Sequence, residues 1–536
     1  MTQQWLKGGC QVMMNIAQKK HFLLGLGIFM GMLLVGAAVF GIKQFRGPDK
    51  QMTIAQEPLH ATPTTINKPT KRILTNQLIQ YTTLPGAVRS AIRVTVNNQV
   101  VFVERYKDIS YVRFAFTGAA RVTVTAVNAA SYSISPRRYS IHPTVHGQNL
   151  SFTLHEPRQL ILQAGSDKLF LFADAPEQHA PNPTASNVLD VTRYVNDISG
   201  RSIQTAHIQQ AIYAAATQHA ILYFPAGLYR TGTLNMRSNA SLYLSSGALL
   251  SGTGYAWDTP DSLLLFKDVQ NVRLFGHGAI DLHGMALRNS AGDAGRVKLI
   301  RTINANNITL QDITLRDSGS WTVHILDSHT IRVNNLKILN DPTMTNNDGI
   351  DPDSSNNVSI NGAFIYTGDD CFAVKTSGAL HLLAASHNIS IENSICYTRK
   401  SALKVGTETR ATLSNITFQQ NDVIHADRAI ALYMADGSIM NNIKYLNTTS
   451  EAIGGNIRQR LIDIEISDRN GIGTIDNVTI ANYTAYAFSP NPSLIAGLDG
   501  HMVNVTFRNL RIAGTSIHSA AAAMIGIQQA NVKFPP

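Results

Sequence analysis

The feature that most constrains this chain is a short motif, an Asn or once a Thr followed by alternating β-branched residues. It recurs as NVRLFGHG at Asn271, NITLQDITL at Asn307, TIRVNNLKI at Thr330, NVSINGAFI at Asn357, NISIENSIC at Asn388, NITFQQNDV at Asn415, NIKYLNTTS at Asn442, NVTIANYTA at Asn477 and NVTFRNLRI at Asn504. From Asn307 onward the commonest interval is 27 residues, with no intervening helical pattern. Short strands at a repeating interval are typical of solenoids, in which each coil buries its apolar face against its neighbours. The sequence therefore predicts an all-β fold, a right-handed parallel β-helix.

Two further elements are predicted ahead of these repeats. The stretch TAHIQQAIYAAATQ, residues 205–218, places Ile208, Ile212 and Ala215 on one helical face. Such a helix would cap the first coil, whose edge otherwise exposes unpaired backbone groups. Residues 73–180 contain short alternating runs separated by Asn, Gly and Pro, which indicates a small β-sandwich. The β-helix is expected to span residues 185–536.

An uncharged apolar run occupies residues 22–42 and is long enough to cross a bilayer. Small residues at 36–38 form a candidate cleavage site, so a retained anchor and a cleaved signal are both open. We expect a single-pass protein of the cell membrane with its body on the periplasmic or extracytoplasmic side, or a secreted protein if the segment is cleaved. Residues 1–46 would then be a cytoplasmic stub with its membrane segment. Residues 47–72, rich in Pro, Thr and Lys, would be a linker.

Charge and cysteine content restrict the partners and cross-links. The chain has 45 basic and 35 acidic residues, but residues 1–72 carry +7 of the net charge of +10. The remaining body is nearly neutral and has no basic stripe interleaved with aromatic residues, so no nucleic-acid partner is expected. Cys10, Cys371 and Cys396 are too few for a disulfide framework. Cys371 and Cys396 are interpreted as buried free thiols, and a disulfide bond between them is the alternative. The protein is expected to be a monomer.

Five aspartates crowd the stretch NNDGIDPDSSNNVSINGAFIYTGDDCFAVKTSG, residues 346–378. Three of them, Asp348 and the pair Asp369-Asp370, are separated by close to one coil, so their carboxylates should project from one region of one face, with strands about 4.8 Å apart. Carboxylates held close can divide into a protonated acid and an ionised base. A separation of about 6.5 to 9.5 Å between them would favour glycoside hydrolysis with inversion. The other two, Asp351 and Asp353, are interpreted as turn residues.

The motifs NND at 346–348, GIDPDS after it and TGDDCFAVKTSG at 367–378 resemble the N-T-D and G-D-D-C motifs of glycoside hydrolase family 28, the polygalacturonases. FPAGLY, GHGAIDLHG and WTVHI are similar to further segments of that family, and the resemblance covers roughly residues 190–490. It implies a pectin-lyase-like β-helix and inverting hydrolysis of a polysaccharide without metal or cofactor. Carried over, Asp369 would be the general acid, and Asp348 with Asp370 would activate water. A β-sandwich ahead of a β-helix also resembles the layout of glycoside hydrolase family 49.

The chain departs from the family pattern at two places. The family has a catalytic-region His in a G-H-G one coil after the paired aspartates, whereas this chain has RKSALKVGTET there, close to the S-A-x-x-x-G-S-E of some plant-like members. His277 lies in a GHG that precedes the acids and matches a structural segment. The family's R-I-K motif, which holds a substrate carboxylate, falls where this chain has Ala431 and Tyr433. Without that bidentate contact the expected substrate is an acidic or a neutral glycan.

Side chains on the coils that flank the aspartates are expected to bind the polysaccharide. These are Asn346, Lys375, Lys404, Glu408, Tyr433, Arg399, Lys400, Trp321 and His324. Two other functions suit the same fold: a polysaccharide lyase whose acidic cluster binds Ca²⁺ beside a Lys or Arg base, and a non-catalytic glycan-binding surface protein. A lyase releases a product that absorbs in the near ultraviolet, whereas a hydrolase yields only reducing ends.

Overall fold

The computed structural model describes residues 76–126, 131–255, 261–454 and 458–535. The predicted membrane segment, the linker and Cys10 lie outside these ranges. Among the residues described, no helix combines the length and the apolar character that crossing a bilayer requires.

Most of the described chain winds through three sheets of parallel strands, which we call the back, side and front sheets. The back sheet comprises Val188–Asp190, Ile221–Phe224, Ser241–Leu244, Gln270–Phe275, Asn306–Gln311, His329–Asn334, Asn356–Asn361, Ser386–Glu392, Leu413–Gln419, Ile439–Leu446, Thr474–Ala481, Val503–Arg508 and Ala530–Lys533. The side sheet comprises Ser199–Ile203, Gly227–Arg230, Ala248–Ser251, Ala279–Asp281, Thr314–Arg316, Lys337–Leu339, Phe364–Tyr366, Ile395–Tyr397, Asp422–Ala426, Thr449–Ile453, Thr484–Ala485, Leu510–Ile512 and an antiparallel last strand, Thr515–Ile517. The front sheet comprises Leu234–Asn235, Ser262–Lys267, Lys298–Ile303, Val323–Leu326, Ile350–Asp353, Phe372–Thr376, Ser401–Thr409, Arg428–Met434, Arg460–Ile466, Ser493–Ala496 and Ile525–Gln528. The predicted parallel β-helix is thus observed as an all-β solenoid.

The recurring apolar residues form the core of this solenoid. On the back sheet, Ile331, Val358, Ile389 and Ile416 pair in register on successive strands and are at most 2% exposed. Alternate residues of a strand point to opposite faces, so an alternating sequence sends one β-branched set inward on every coil. Full burial of such a side chain contributes about 1.5–3 kcal/mol relative to exposure.

The motif asparagines form ladders at the entry to the back sheet. The Asn307 amide donates to Asn271 at 2.8 Å, and the Asn442 amide donates to Asn415 at 2.8 Å. These residues adopt positive φ, which Asn tolerates better than most residues because its short side chain bonds locally. These asparagine ladders lie on the exposed edge of the coils and not inside them.

The predicted capping helix is confirmed as Thr205–Gln218, which we call α1. Its buried face consists of Ile208, Ala211, Ile212 and Ala215, all of which belong to the solenoid core. A second helix, α2, spans Gly284–Ala291, and short 3₁₀ helices span Arg137–Tyr139, Val191–Arg193, Gly292–Gly295 and Ala379–His381.

Two smaller sheets precede the solenoid and share one apolar core. The first contains Gln77–Gln80, Val88–Arg89, Val103–Tyr106, Ile109–Thr117, Tyr132–Ser135, Arg158–Ala164 and Asp167–Asp174. The second contains Arg93–Val96, Gln99–Val101, Ala120–Thr125, Thr144–His146 and Asn149–Leu154. Phe170 and Phe172 of the first sheet pack on Phe364 of the side sheet, with ring centroids 5.0 and 4.9 Å apart. The small sheets thus contact the solenoid at its side sheet.

The prediction that two of the cysteines are buried free thiols is confirmed. Cys371 and Cys396 are both free and buried. Both belong to the solenoid core, where burial raises the pKa of the Cys371 thiol well above its ordinary value.

Candidate active site

Three aspartates meet at the edge of the front sheet. Asp348 lies just before one strand, and Asp369 and Asp370 lie just before the next strand. The Gly349 N–H donates to the Asp370 carbonyl oxygen at 2.8 Å, so the two turns lie against each other. One carboxylate oxygen from each aspartate lies within 4.8 Å of the other two. The structure therefore brings together the three residues predicted to be catalytic.

The oxygens of Asp348, Asp369 and Asp370 that lie within 4.8 Å of one another are the facing ones, one from each carboxyl group. The separation of about 6.5 to 9.5 Å expected for an inverting pair is measured between whole carboxyl groups, so it stays a prediction.

Asp369 and Asp370 are adjacent but electrostatically different. Asp369 is half-buried, and burial together with the charge of Asp370 raises its pKa. Burial alone would also raise the pKa of Asp370, but the Lys404 ammonium, 2.6 Å from its Oδ2, outweighs it and the pKa is lowered. The Ser401 N–H, 2.9 Å from Asp370 Oδ1, stabilises the same ionised form. The pKa values of two adjacent carboxyl groups are thus shifted in opposite directions, which favours the protonated form of Asp369 relative to Asp370.

Asp348 shares a buried ammonium group. Lys375, 3% exposed, places its Nζ 3.2 Å from Asp348 Oδ2 and 3.4 Å from Asp351 Oδ1. Its ammonium also lies 3.7 Å from the centre of the half-buried Trp321 ring. Burial raises the pKa of Asp348 to about 7, although the charge of Lys375 opposes the rise. Lys375 itself stays protonated, because its carboxylate neighbours raise its pKa well above the ordinary value.

The interpretation of Asp351 and Asp353 as turn residues is wrong. Both lie in the front-sheet strand Ile350–Asp353 and are fully buried. Asp353 accepts hydrogen bonds from Ser377 and pairs with His324 Nε2 at 3.0 Å. Asp351 has Lys375 as its charged neighbour but no hydrogen-bond partner on either oxygen. Carboxylates can occupy this strand because the Lys375 ammonium compensates Asp351, and hydrogen bonds with His324 and Ser377 satisfy Asp353.

His324 does not reach the groove surface, contrary to its predicted contact with substrate. It is 1% exposed, and burial lowers its pKa to about 4, so the ring is neutral. Its ring lies edge-on to Trp321 with centroids 4.8 Å apart. His324 therefore supports Trp321 and Asp353 from beneath.

Asn347, which the sequence reasoning passed over, orders the turn that carries Asp369. It is fully buried, and its side-chain oxygen accepts hydrogen bonds from the Gly368 N–H at 3.0 Å and the Asp369 N–H at 3.1 Å. The predicted Asn346 contributes its backbone N–H, 2.7 Å from Asp369 Oδ2. Gly368 fits because a Cβ there would lie 2.2 Å from the Met344 carbonyl oxygen. The middle position of the NND motif was the available signal for Asn347.

A hairpin of the first small sheet braces the same turn. Lys107 Nζ lies 3.0 Å from Asp317 Oδ1 and 3.2 Å from Asp341 Oδ2. The Asp341 carbonyl oxygen accepts the Asn347 side-chain amide at 2.7 Å. Two contacts therefore connect the small sheet to the residue that holds the Asp369 turn.

We expect Lys107→Ala to lower kcat by about 3- to 10-fold, because a catalytic group displaced by about 1 Å can cost about 100-fold and Lys107 acts through two contacts. The measurement is steady-state kinetics at saturating glycan. Lys168→Ala is the matched control, since Lys168 contacts Asp108 and Tyr366 at the same interface. Equal losses in the two variants would contradict a specific role for Lys107.

The remaining predicted residues divide into two groups. Glu408 lies 3.9 Å from Lys375 Nζ, and the Tyr433 hydroxyl donates to Asp463 Oδ2 at 2.5 Å on the same face of the front sheet. Arg399 is exposed and Lys400 half-buried on the turn before Ser401–Thr409. Within the part of the chain that the structure describes, neither of these two side chains forms an ion pair with the three aspartates. Both side chains act electrostatically on Asp427. Burial raises the pKa of the Asp427 carboxyl group, and the charges of Lys400 and Arg399 lower it.

His277 lies away from this site, as the sequence reasoning expected. It is 4% exposed and stacks on Tyr81 of the first small sheet, with ring centroids 4.5 Å apart. It packs beside Asp174, where the small sheets meet the solenoid. Its contacts are those of a packing residue.

The donor set does not suit a divalent cation, although three carboxylate oxygens lie within 4.8 Å of one another. Lys404 bonds Asp370, and Lys375 pairs with Asp348. These ammonium groups neutralise the negative charge that would hold the ion. Ca²⁺ takes about 6 to 8 oxygen ligands, so the site is better described as a carboxylate cluster held by lysines.

A parallel β-helix that carries carboxyl groups with oppositely shifted pKa values at the edge of one sheet has the arrangement expected of a hydrolase of glycosidic bonds. Residues 217–531 match the sequence profile described as glycosyl hydrolases family 28. This span exceeds half of the chain, and the chain belongs to that family. It is a glycoside hydrolase.

Curated relatives agree with this assignment, and solved structures share the fold. The chain is 25% identical over 369 residues to a probable polygalacturonase of Vitis vinifera, covering 60% of this chain and 73% of that protein. It is 23% identical over 457 residues to the exo-poly-alpha-D-galacturonosidase of Dickeya chrysanthemi, covering 66% and 74%. In fold it resembles the exopolygalacturonase from Thermotoga maritima, with TM-score 0.51, 17% identity and coverage of 67% and 93%. It also resembles Dex49A from Penicillium minioluteum, with TM-score 0.57, 12% identity and coverage of 84% and 96%.

Proposed function

We propose that this protein hydrolyses a pectin-like polysaccharide, with Asp369 as general acid and with Asp348 and Asp370 activating water. The proposal rests on one observation: the pKa of Asp369 is raised, whereas the pKa of the adjacent Asp370 is lowered. Relatives named as polygalacturonases support the pectin-like substrate.

In the proposed reaction, Asp369 donates its proton to the glycosidic oxygen as the bond to the anomeric carbon breaks. A water molecule attacks that carbon, and its proton passes to the carboxylate of Asp370 or Asp348. Lys404 and the Ser401 N–H keep Asp370 ionised and in position. Lys375 stabilises the charge on Asp348 in the same way. The only co-substrate is water, and no cofactor takes part.

Inversion at the anomeric carbon is the proposed stereochemistry, as the family resemblance implies. The separation of about 6.5 to 9.5 Å between carboxyl groups that favours inversion leaves space for a water molecule between the acid and the base. Proton magnetic resonance of the first product formed would decide it. An inverted anomer supports the proposal, and a retained anomer would overturn the water-activating role.

The lyase alternative has less support in this geometry. A base that removes a proton beside a uronate carboxyl must be neutral, but Lys375 is held protonated by two buried carboxylates. Lys404 is bonded to Asp370 at 2.6 Å. Neither lysine is prepared to act as a base.

We further propose that the coils are right-handed, because parallel crossover connections are right-handed in about 98% of cases. We also propose export of the protein, with residues 22–42 as an anchor or a cleaved signal, on the strength of that uncharged apolar run. Comparison of the mature N-terminus in membrane and soluble fractions would distinguish the two forms.

The test of the activity is an assay of the purified protein on polygalacturonate and on neutral glucans, with and without a chelator. We expect new reducing ends from polygalacturonate, no rise in near-ultraviolet absorbance, and an unchanged rate with chelator. Products that absorb in the ultraviolet and vanish with chelator would contradict the hydrolase mechanism.

A further inference from the structure

The positions at which the family holds a substrate carboxylate carry no cation in this chain. Ala431 is fully buried, and the Tyr433 hydroxyl bonds Asp463 at 2.5 Å. Glu465 pairs in register with Tyr433 on the next strand. Ala431 and Tyr433 therefore supply no positive charge to an acidic sugar, and Arg460 on the next strand is already paired with Asp463 at 2.7 Å and Glu465 at 3.4 Å.

Arg428 lies in the same strand and next to the catalytic cluster. Its Nε–H donates to Ser401 Oγ at 2.9 Å, and the Ser401 N–H donates to Asp370 Oδ1 at 2.9 Å. Ser401 and Arg428 pair in register on neighbouring strands. One residue thus separates the guanidinium from a proposed catalytic carboxylate.

Arg428 differs from the other buried arginines of the described residues in its charge partners. Arg316 pairs with Glu104 at 2.8 Å and with Asp281 at 2.9 Å, and Arg301 pairs with Asp261 at 2.5 Å. Arg428 is 9% exposed, yet within the described ranges no carboxylate oxygen lies within 4.0 Å of its guanidinium. Burying a charge without a partner is costly. An anion supplied by the substrate would complete the site.

Charged residues neighbour Arg428 in the chain and on the adjacent turn. Asp427 is the adjacent acidic residue, and the charge of Arg428 lowers the pKa of its carboxyl group, which burial raises. Lys400 lies on the turn beside Arg428. On the groove side, burial raises the pKa of the Tyr433 phenol, and the charge of Arg428 is the strongest opposing influence. The Lys404 ammonium lies 5.8 Å from the centre of the Tyr433 ring.

We propose that Arg428 binds the carboxylate of a uronate residue of the substrate, in place of the family's missing Arg-x-Lys pair. The planar guanidinium suits a carboxylate because it can donate two parallel hydrogen bonds. This proposal rests on the proposed hydrolase function and specifies its substrate as a glycan with a free carboxylate next to the cleaved bond.

The test compares Arg428→Gln with the unchanged protein on polygalacturonate and on its methyl ester. We expect kcat/KM on the free acid to fall by about 10- to 100-fold, the value of a hydrogen bond to a charged group, and kcat/KM on the ester to change little. Arg428→Lys should recover part of the loss. Arg332→Gln, at an exposed arginine of the back sheet, is the matched control. Equal losses on both polymers would overturn the proposal, because they would indicate a structural effect through Ser401.

A binding measurement separates this inference from the proposed chemistry. Calorimetry would compare Asp369→Asn with the double variant Asp369→Asn/Arg428→Gln, titrated with oligogalacturonate and with its methyl ester. We expect the double variant to lose affinity for the acid alone. Binding of the acid without turnover by the unchanged protein would contradict only the hydrolase. Unchanged affinity in the double variant, or no binding by the single variant, would overturn the role of Arg428.

Discussion

Replacing Asp369 by Asn is expected to lower kcat on a polysaccharide by about 1,000-fold or more, while binding of the glycan stays unchanged. Asn cannot donate a proton, and general acid catalysis contributes about 100- to 10,000-fold. Asp369 Oδ2 accepts the Asn346 N–H and its Oδ1 accepts the Asp370 N–H, so the single amide oxygen of Asn keeps one of these two hydrogen bonds. Turnover is measured as reducing ends, and affinity by calorimetry.

A substrate with an aryl leaving group sharpens this test, since such a group departs without protonation. Asp369→Asn should cleave it at a rate close to that of the unchanged protein. Asp499→Asn is the control, because Asp499 is exposed and its positive φ suits Asn. An equal loss on aryl and sugar leaving groups would argue against Asp369 as the acid.

Lys375→Met is expected to have the second largest effect, on stability and on pH dependence together. The substitution leaves Asp348 and Asp351 buried without their shared cation, and removing one partner of a buried pair costs about 3–5 kcal/mol. Lys375 lowers the pKa of Asp348, which burial raises to about 7. Its loss therefore raises that pKa further and reduces the ionised fraction at any pH below it. The acidic limb of the kcat/KM profile should move to higher pH.

Lys337→Met separates the two effects. Lys337 is 1% exposed and pairs with buried Asp174 at 2.8 Å, where the small sheets meet the solenoid. We expect a similar fall in the free energy of unfolding, measured by denaturant titration, but an unchanged pH profile. A Lys375→Met enzyme with an unshifted acidic limb would exclude Asp348 from the titrating groups of the reaction.

The solenoid was predictable because its signal is local and repeated. Each motif asparagine marks the entry to a back-sheet strand, and each alternating run identifies its buried residues, such as Val358 and Ile416. Helix α1 was predictable for the same reason, since a single apolar face at helical spacing defines it. Coil spacing also brought Asp348 to Asp369 and Asp370, which the structure places within 4.8 Å.

The rest of the site depends on contacts between residues far apart in sequence. Asp351 and Asp353 have the composition of a turn, and only the positions of Lys375 and His324 on neighbouring strands show why a strand can bury them. Lys107 reaches Asp341, whose carbonyl oxygen holds Asn347, across 234 residues of sequence and from a different sheet. Arg428 does not belong to a recognisable sequence motif. Its proposed role follows from its burial without a carboxylate oxygen within 4.0 Å among the described residues. The spacing of the repeats predicts which residues align on successive coils. It does not predict which charged side chains contact each other between strands and sheets.

The catalytic cluster occupies two adjacent coils, and this has an evolutionary consequence. In a solenoid each coil contacts only its neighbours, so duplication or loss of a distant coil leaves the local geometry of Asp348, Asp369 and Asp370 intact. The binding groove can therefore lengthen or shorten by whole coils while the chemistry is inherited unchanged. Lineages of this architecture can change the length of glycan they grip independently of the bond they break.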